Sequence, residues 1–158
     1  MNNDREAGIV VPFRQNAAFY YQRGNKYLSD NEDLVRAEQY LRKAYEMEPG
    51  REEYVLAFAE VLHRMHRFEE SLSVLLTSIK DADENSPETI FGIASDFMGL
   101  EEFAAAEQCC NLCLQRDPDG PYAERALDIL ELIKDAPELE AQIGLVGNED
   151  LALLDEIH

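Results

Sequence analysis

Apolar residues recur along the chain at the three-to-four-residue spacing of amphipathic helices, and polar breaks divide them into pairs. Between Pro87 and Pro118, one apolar stripe precedes Gly99 and a second stripe follows it. Because residues three and four positions apart share one face of a helix, this stretch predicts two short helices joined by a turn. Such a pair buries one apolar face and leaves another open, so it needs a neighbouring copy to cover it.

The same pattern predicts four helices before this stretch and one helix, Tyr122–Lys134, after it. Polar runs and Pro/Gly breakers interrupt the helical spacing between these segments. The breaks are Ser29–Asp33, Pro49-Gly50, Asp81–Ser86 and Asp117–Pro121. Ser86 followed by Pro87 predicts a helix start, because a serine hydroxyl caps the first turn and proline fits within it.

Small residues recur in these helices at a period of 34–35 positions. They are Gly24, Ala59 and Ala94 in the first helix of each pair, and Ala37, Ser71 and Ala106 in the second. Two helices cross closely only where one presents a small residue, with larger side chains filling the groove around the crossing. Three copies of a helix–turn–helix at this period predict a solenoid.

The repeated motif resembles that of tetratricopeptide repeat (TPR) proteins, in which a closing proline follows a fixed series of small and large residues. The matching residues are Gly24–Tyr27, Ala37–Leu41–Ala44–Pro49, then Ala59–Leu62, Phe68–Ser71–Leu75–Ser78, then Ala94–Phe97, Phe103–Ala106–Cys110–Cys113–Pro118. The resemblance implies an all-α, right-handed α-solenoid of antiparallel helix pairs, with three TPR motifs plus a capping helix. In its overall repeat pattern the chain resembles bacterial multi-repeat proteins of unknown specific function.

The pattern predicts three segments in the chain. Residues 1–14 form a lead-in, 15–135 form the TPR domain, and 136–158 form a connector and the start of a further helix. Within the domain we predict repeats at about 17–50, 51–86 and 87–120, and a capping helix at 121–135. One interpretation is that the chain is the N-terminal part of a longer repeat protein. The lead-in has the features of neither a signal peptide nor a membrane span.

An excess of acidic residues narrows the class of partner. The chain has 14 Lys+Arg against 33 Asp+Glu, a formal net charge of −19. Such a surface repels nucleic acid and anionic membranes, and it favours a protein or peptide with basic groups. The three cysteines fall in one predicted helix and do not form a disulfide framework, so we predict a cytoplasmic protein.

Two clusters of metal-ligating residues are present in the sequence. Cys109, Cys110 and Cys113 share a helix, but no second pair of cysteines completes a structural zinc site. His63 and His66 lack the glutamate of a zinc-hydrolase motif. We interpret the cysteines as packing residues and the histidines as solvated or hydrogen-bonding, with a metal or redox role as the alternative. We therefore predict no enzyme activity and no cofactor.

The resemblance implies that partners bind in a concave groove lined by the first helix of each repeat. Residues one turn away from the packing positions are expected to face this groove. The candidates are Tyr21, Gln22, Asn25, Leu28, Glu53, Leu56, Glu60, His63, Arg64, Glu88, Phe91, Ser95, Met98 and Arg125. The alternative for Leu28, Phe91 and Met98 is packing within the chain itself.

Some family members hold the C-terminal carboxylate of heat-shock chaperones with Lys, Arg and Asn in the groove. Here only Asn25 matches, and Glu88 occupies a position where a cation would be needed, so clamp-type binding is not expected. We predict instead a scaffold for a partner segment with apolar anchors and basic flanks. Alternatives are a dedicated chaperone resembling type III secretion translocator chaperones, and a homo-oligomeric scaffold such as a homodimer.

Overall fold

The computed structural model describes residues 16–30, 33–79 and 85–136. These residues form seven α-helices and no strand, which confirms the predicted all-α class. The helices are α1 (Ala17–Ser29), α2 (Leu34–Met47), α3 (Glu52–Arg64), α4 (Phe68–Ser78), α5 (Pro87–Gly99), α6 (Phe103–Arg116) and α7 (Ala123–Asp135). The predicted lead-in and the predicted helix at Glu149–His158 lie outside the described residues.

The helices stack in chain order. Each helix packs against the next one along the chain, and the first helices of successive pairs, α1 with α3 and α3 with α5, also touch. This arrangement places α1, α3 and α5 side by side. A solenoid is built in this way, because every pair covers the open apolar face of its neighbour.

Small residues mark the closest helix crossings, as predicted. A Cβ built on Gly24 would lie 2.5 Å from Cγ of Leu41, so α1 and α2 approach too closely for any other residue without rearrangement. Ala37 and Ala106 are fully buried at the equivalent crossings of α2 and α6. Ser71 is buried in α4, where its hydroxyl donates a hydrogen bond to the Ala59 carbonyl at 3.0 Å. The predicted crossing residues are thus in the core.

The turns inside the second and third pairs share one conformation. His66 and Glu101, which are 35 positions apart, have φ values of 58° and 61°. In the third pair the Glu102 N–H donates to the Phe97 carbonyl at 2.9 Å, which closes the turn after α5. Left-handed backbone is strained for residues other than glycine, so both turns carry a local energetic cost.

The turn of the first pair is longer by one position. The Asp33 N–H donates to the Tyr27 carbonyl at 3.1 Å, a span of six residues where the other two turns span five. Asp33 also caps α2, because its side chain accepts from the Arg36 N–H. The extra residue seen in the sequence is therefore accommodated between α1 and α2.

Helix starts follow the expected chemistry at several places. Ser86 caps α5 by accepting from the Thr89 N–H, and Pro87 occupies the first turn, which confirms the predicted start. Asn16 caps α1 in the same way, through the Phe19 N–H. These caps fix where the first helices of the first and third pairs begin, and hence which side chains they direct into the groove.

Candidate binding groove

A groove of about 730 Å³ runs along the side-by-side helices α1, α3 and α5. Residues of α4 and of the region around the start of α7 complete its lining. The lining residues are Tyr21, Asn25, Leu28, Glu53, Leu56, Ala57, Ala59, Glu60, His63, Ser71, Leu75, Glu88, Phe91, Gly92, Ser95, Asp96, Tyr122 and Arg125. The groove thus gathers side chains from all three repeats.

Most of the predicted site residues line this one groove. They are Tyr21, Asn25, Leu28, Glu53, Leu56, Glu60, His63, Glu88, Phe91, Ser95 and Arg125. Their equivalent positions follow from the repeat, since Tyr21, Leu56 and Phe91 are 35 residues apart. Their role in binding a partner stays a prediction.

Three predicted residues are not part of the groove lining. Arg64 points to the neighbouring helix, where its Nη1 donates to the Leu28 carbonyl at 3.2 Å. Met98 is half-buried, packs against the hydrophobic core and does not line the groove, which favours the self-packing alternative for this residue. Gln22 is exposed and adjoins the lining residue Tyr21 without lining the groove itself. Each of these three residues lies on a face of its helix that is rotated away from the groove-lining face.

Phe91 lies in the groove but is largely covered by its own chain. Only 7% of the residue is exposed. Its ring stacks on Tyr122, with centroids 5.4 Å apart, and the Arg125 guanidinium lies 4.4 Å from the ring centroid. A cation over an aromatic face is attracted by the ring quadrupole. Phe91 therefore supports the groove wall, and Tyr122 and Arg125 cover it.

The half-buried apolar side chains in the groove come from the first two repeats. Tyr21, Leu28 and Leu56 are partly covered and pack against the core. The Tyr21 ring lies 4.9 Å from the ring of buried Tyr54, which holds it in place. Rigid aromatic and aliphatic side chains that keep part of their surface open are typical anchors for a partner segment.

A histidine–aspartate pair forms part of the groove lining. His63 Nδ1 lies 2.7 Å from Asp96 Oδ1, and the Asp96 residue is fully buried. Contact with the Asp96 carboxylate raises the pKa of His63 despite its partial burial. Burial raises the pKa of Asp96, and the bond to His63 offsets this only in part. Asp96 Oδ2 has no hydrogen-bond partner among the described residues.

Carboxylates dominate the charge of the groove. Glu53, Glu60, Glu88 and Asp96 line it, against the guanidinium of Arg125 and the titratable His63. Burial, followed by a hydrogen bond with Glu88, raises the pKa of Tyr122 to about 12. The lining therefore presents an acidic environment to anything that enters.

The cysteine cluster lies in the core of α6. Cys109, Cys110 and Cys113 are fully buried free thiols. Burial raises the pKa of all three, that of Cys110 to about 12, and this disfavours the thiolate that metal binding and redox chemistry require. The part of the chain that the structure describes contains no group of three or more His, Cys, Asp or Glu residues arranged to hold a metal. Packing is thus the role these contacts support.

Asp96 was not among the site residues predicted from the sequence. In the repeat register it corresponds to Val61, which is fully buried in α3, and to Lys26, which is exposed in α1. The third repeat has a carboxylate at the position where the second repeat has a buried valine. This difference was a signal from which Asp96 could have been found. Its partner His63 was predicted to face the groove, but the bond between them depends on the packing of α3 on α5.

Solved structures share this arrangement of helices. One is the first TPR of Spaghetti (RPAP3) bound to HSP90 peptide SRMEEVD, which aligns with 77% of this chain and 95% of its own length at a TM-score of 0.64 and 17% identity. This chain has the tetratricopeptide repeat fold. The TPR resemblance drawn from the motif is thereby confirmed.

A curated relative supports the same TPR classification. The TPR repeat-containing protein YvcD of Bacillus subtilis (strain 168) is 27% identical over 148 residues, which cover 90% of this chain. The chain spans 30% of that relative's length. No protein-family model matches the chain. Within the described ranges, no helix combines the length and apolarity needed to cross a membrane.

Proposed function

We propose that this TPR chain is a non-enzymatic scaffold that binds a segment of a partner protein in the groove formed by α1, α3 and α5. The observation that carries the proposal is the combination of half-buried apolar side chains with a ring of carboxylates on one continuous surface. Apolar anchors supply affinity when they are desolvated, and charged groups around them steer the encounter and select the partner.

The occupant we propose has apolar anchors and basic flanks. Four lining carboxylates face one lining guanidinium, and the whole chain carries a net charge of −19. The peptide named with the RPAP3 structure, SRMEEVD, has three acidic residues and one basic residue. A groove lined by Glu53, Glu60 and Glu88 repels such a ligand, so the shared fold supports peptide binding but the charge of this groove favours a partner of opposite charge.

Hydroxyl geometry favours binding over catalysis. A His–Asp pair serves a nucleophile only when a hydroxyl or thiol is within hydrogen-bond reach of the histidine. Ser71 donates to the Ala59 carbonyl, and Ser95 donates to the Phe91 carbonyl at 2.9 Å. Both groove serine hydroxyls are therefore engaged with backbone, and we infer that the pair recognises a ligand without reacting with it.

A blocked groove tests the proposal. Random dodecapeptides displayed on phage are selected on the wild-type chain and then measured on Ser95→Arg, which places a long side chain in the groove. The matched control is Ser73→Arg, which makes the same change at an exposed position of α4 outside the lining. We expect selected peptides to lose binding to Ser95→Arg and to retain it on Ser73→Arg, with both variants folded by circular dichroism.

Peptides that bind both variants equally well would place the interaction elsewhere and overturn the proposal. The dedicated secretion chaperone stays an alternative prediction. So does the homo-oligomer. Light scattering of the wild type at high concentration separates a monomer from the homo-oligomer.

A further inference from the structure

Two atoms of the His63–Asp96 pair, one nitrogen and one oxygen, take no part in the contact between the two residues. His63 Nδ1 is used by Asp96 Oδ1. Nε2 makes no hydrogen bond with any described residue and is not among the buried unpartnered atoms, so it is accessible on a residue that lines the groove. Asp96 Oδ2 is buried without a hydrogen-bond partner among the described residues. Oδ1 is paired with His63, but a buried oxygen without a partner is costly, and each such atom in a native structure calls for an explanation.

The surroundings of His63 are acidic on the side that faces the groove. Glu60 lies on the same helix and helps to raise the pKa of His63, as Asp96 does from α5. Ser71, from α4, and Asn25, from α1, are uncharged lining residues.

The cation of the groove, Arg125, lies in α7 and is stacked over Phe91 and Tyr122. Glu88 on α5 and Glu53 on α3 add further negative charge to the lining. The contacts with Asp96 and Glu60 raise the pKa of His63 and so favour the protonated imidazole.

We propose that the His63–Asp96 pair is a subsite for one Lys or Arg side chain of the partner segment, and that this side chain displaces the proton from His63. The inference rests on the proposed function of the groove. In the bound state the neutral imidazole keeps its hydrogen on Nδ1, donated to Asp96, and its Nε2 lone pair accepts a hydrogen bond from the basic side chain. The displaced proton passes from Nε2 to solvent.

The sign of the linkage follows from charge. A protonated His63 offers a donor and a positive charge, and both repel a cation. A neutral His63 backed by the Asp96 and Glu60 carboxylates attracts one. Partner affinity therefore rises as pH increases through the pKa of His63, and binding releases a proton below that pKa. A partner that placed a carboxylate or carbonyl at Nε2 would produce the opposite sign.

Peptides selected on the wild type that lose binding to Ser95→Arg are the probes. Titration calorimetry in phosphate and in Tris, whose ionisation enthalpies differ, gives the number of protons exchanged on binding. We expect release that approaches about one proton per peptide as pH falls below the His63 pKa. We also expect a Lys or Arg in every such peptide. Replacing it by norleucine or citrulline weakens binding on the order of tenfold to a hundredfold, the range of a charge-assisted hydrogen bond.

Substitutions in the pair distinguish the role of Asp96 from the role of His63. Asp96→Asn, which keeps the shape of the side chain, weakens the basic peptide on the order of tenfold, and Asp119→Asn in an exposed turn leaves it unchanged. His63→Gln retains the preference for a basic peptide but abolishes proton release. Calorimetry on this second variant keeps the test decisive if Asp96→Asn folds poorly.

The outcomes distinguish this inference from the function on which it rests. Groove-dependent peptides without a basic residue, or with proton uptake or no exchange, overturn the subsite and leave the scaffold standing. The absence of any peptide sensitive to Ser95→Arg overturns both. A synthetic peptide of residues 1–15, which contains Arg5, Arg14 and an apolar run, is included as a competitor. Strong competition by this peptide would indicate that the groove binds the chain's own residues 1–15 in place of a partner protein.

Discussion

Helices α1 and α5 occupy equivalent positions in the first and third repeats, yet they are buried very differently. Of the described residues in α1, only Ala17 and Gly24 are buried, whereas α5 buries seven residues. α5 packs against helices on both sides, and α1 packs mainly against α2 among the described elements. Position in the stack, more than the repeat motif, therefore determines how much of a first helix is covered.

The comparison also separates structural residues from functional ones. In α1 the groove positions carry Tyr21, Asn25 and Leu28, all partly open. In α5 the corresponding wall is covered by Tyr122 and Arg125, and a buried carboxyl group, Asp96, is bonded to His63. A residue that departs from the local pattern of its repeat is expected at a functional site, because packing alone does not favour it.

The largest expected effect comes from truncating equivalent large residues. Phe97→Ala should lower the free energy of unfolding by about 3–5 kcal/mol, since the Phe97 side chain is 2% exposed and its loss leaves a cavity. Tyr27→Ala should cost about 1–2 kcal/mol, because Tyr27 is half-buried and mainly stacks on Tyr40. Urea denaturation measures both. Equal losses would show that α1 is as tightly packed as α5.

The second prediction concerns the small residue at the crossing of α1 and α2. Gly24→Ala should lower the free energy of unfolding by up to about 2 kcal/mol. The new methyl group meets Leu41 and overpacks the crossing by about 1–3 kcal/mol, and the higher helix propensity of alanine offsets about 1 kcal/mol. Ala94, at the same repeat position in α5, already carries that methyl group. A stabilised Gly24→Ala variant would contradict the close approach.

A smaller effect, with the opposite sign, is expected in the turn after α5. Glu101→Gly should raise the free energy of unfolding by about 1 kcal/mol, because φ of 61° is strained for glutamate and free for glycine. His66→Gly should gain less, since the His66 ring contacts the Phe68 ring at 5.6 Å and this contact is lost. Thermal unfolding of the two variants ranks them. The reverse ranking would show that the ring contact contributes nothing.

The smallest effect is expected in the pH dependence of stability that the buried pair contributes, apart from the cost of the substitution itself. In Asp96→Asn the pKa of His63 should fall, because the carboxylate that raises it is gone. A group whose pKa is raised on folding stabilises the fold at low pH and loses this contribution as pH rises through the folded value. The unfolding free energy of the wild type should therefore decrease with pH across the His63 titration more than that of Asp96→Asn. NMR titration of the His63 ring gives the two pKa values directly.

The sequence predicted the stack well because the stack depends on local and periodic features. Gly24, Ala37 and Ala106 recur at a fixed period, and Ser86-Pro87 starts a helix through contacts within a few residues. Such signals can be recognised in a single sequence, without knowledge of which residues are in contact in the fold. The helix order and the core positions follow from them.

The groove was predicted less completely because its details depend on contacts between repeats. Phe91 was expected to be open, and α7 covers it through Tyr122 and Arg125. Met98 differs from Ser95 by three residues, and only the direction of packing determines which of them lines the groove. The bond of Asp96 to His63 joins residues 33 positions apart and has no periodic signal.

The most direct test of the account maps where a selected peptide binds. Heteronuclear NMR spectra of the labelled chain are recorded during titration with a peptide from the display selection. The account predicts that the largest changes in amide chemical shift fall on α1, α3 and α5, with Asn25, Leu56 and Ser95 among them. Changes confined to the second helices α2, α4 and α6 would contradict the assignment of the groove as the binding surface.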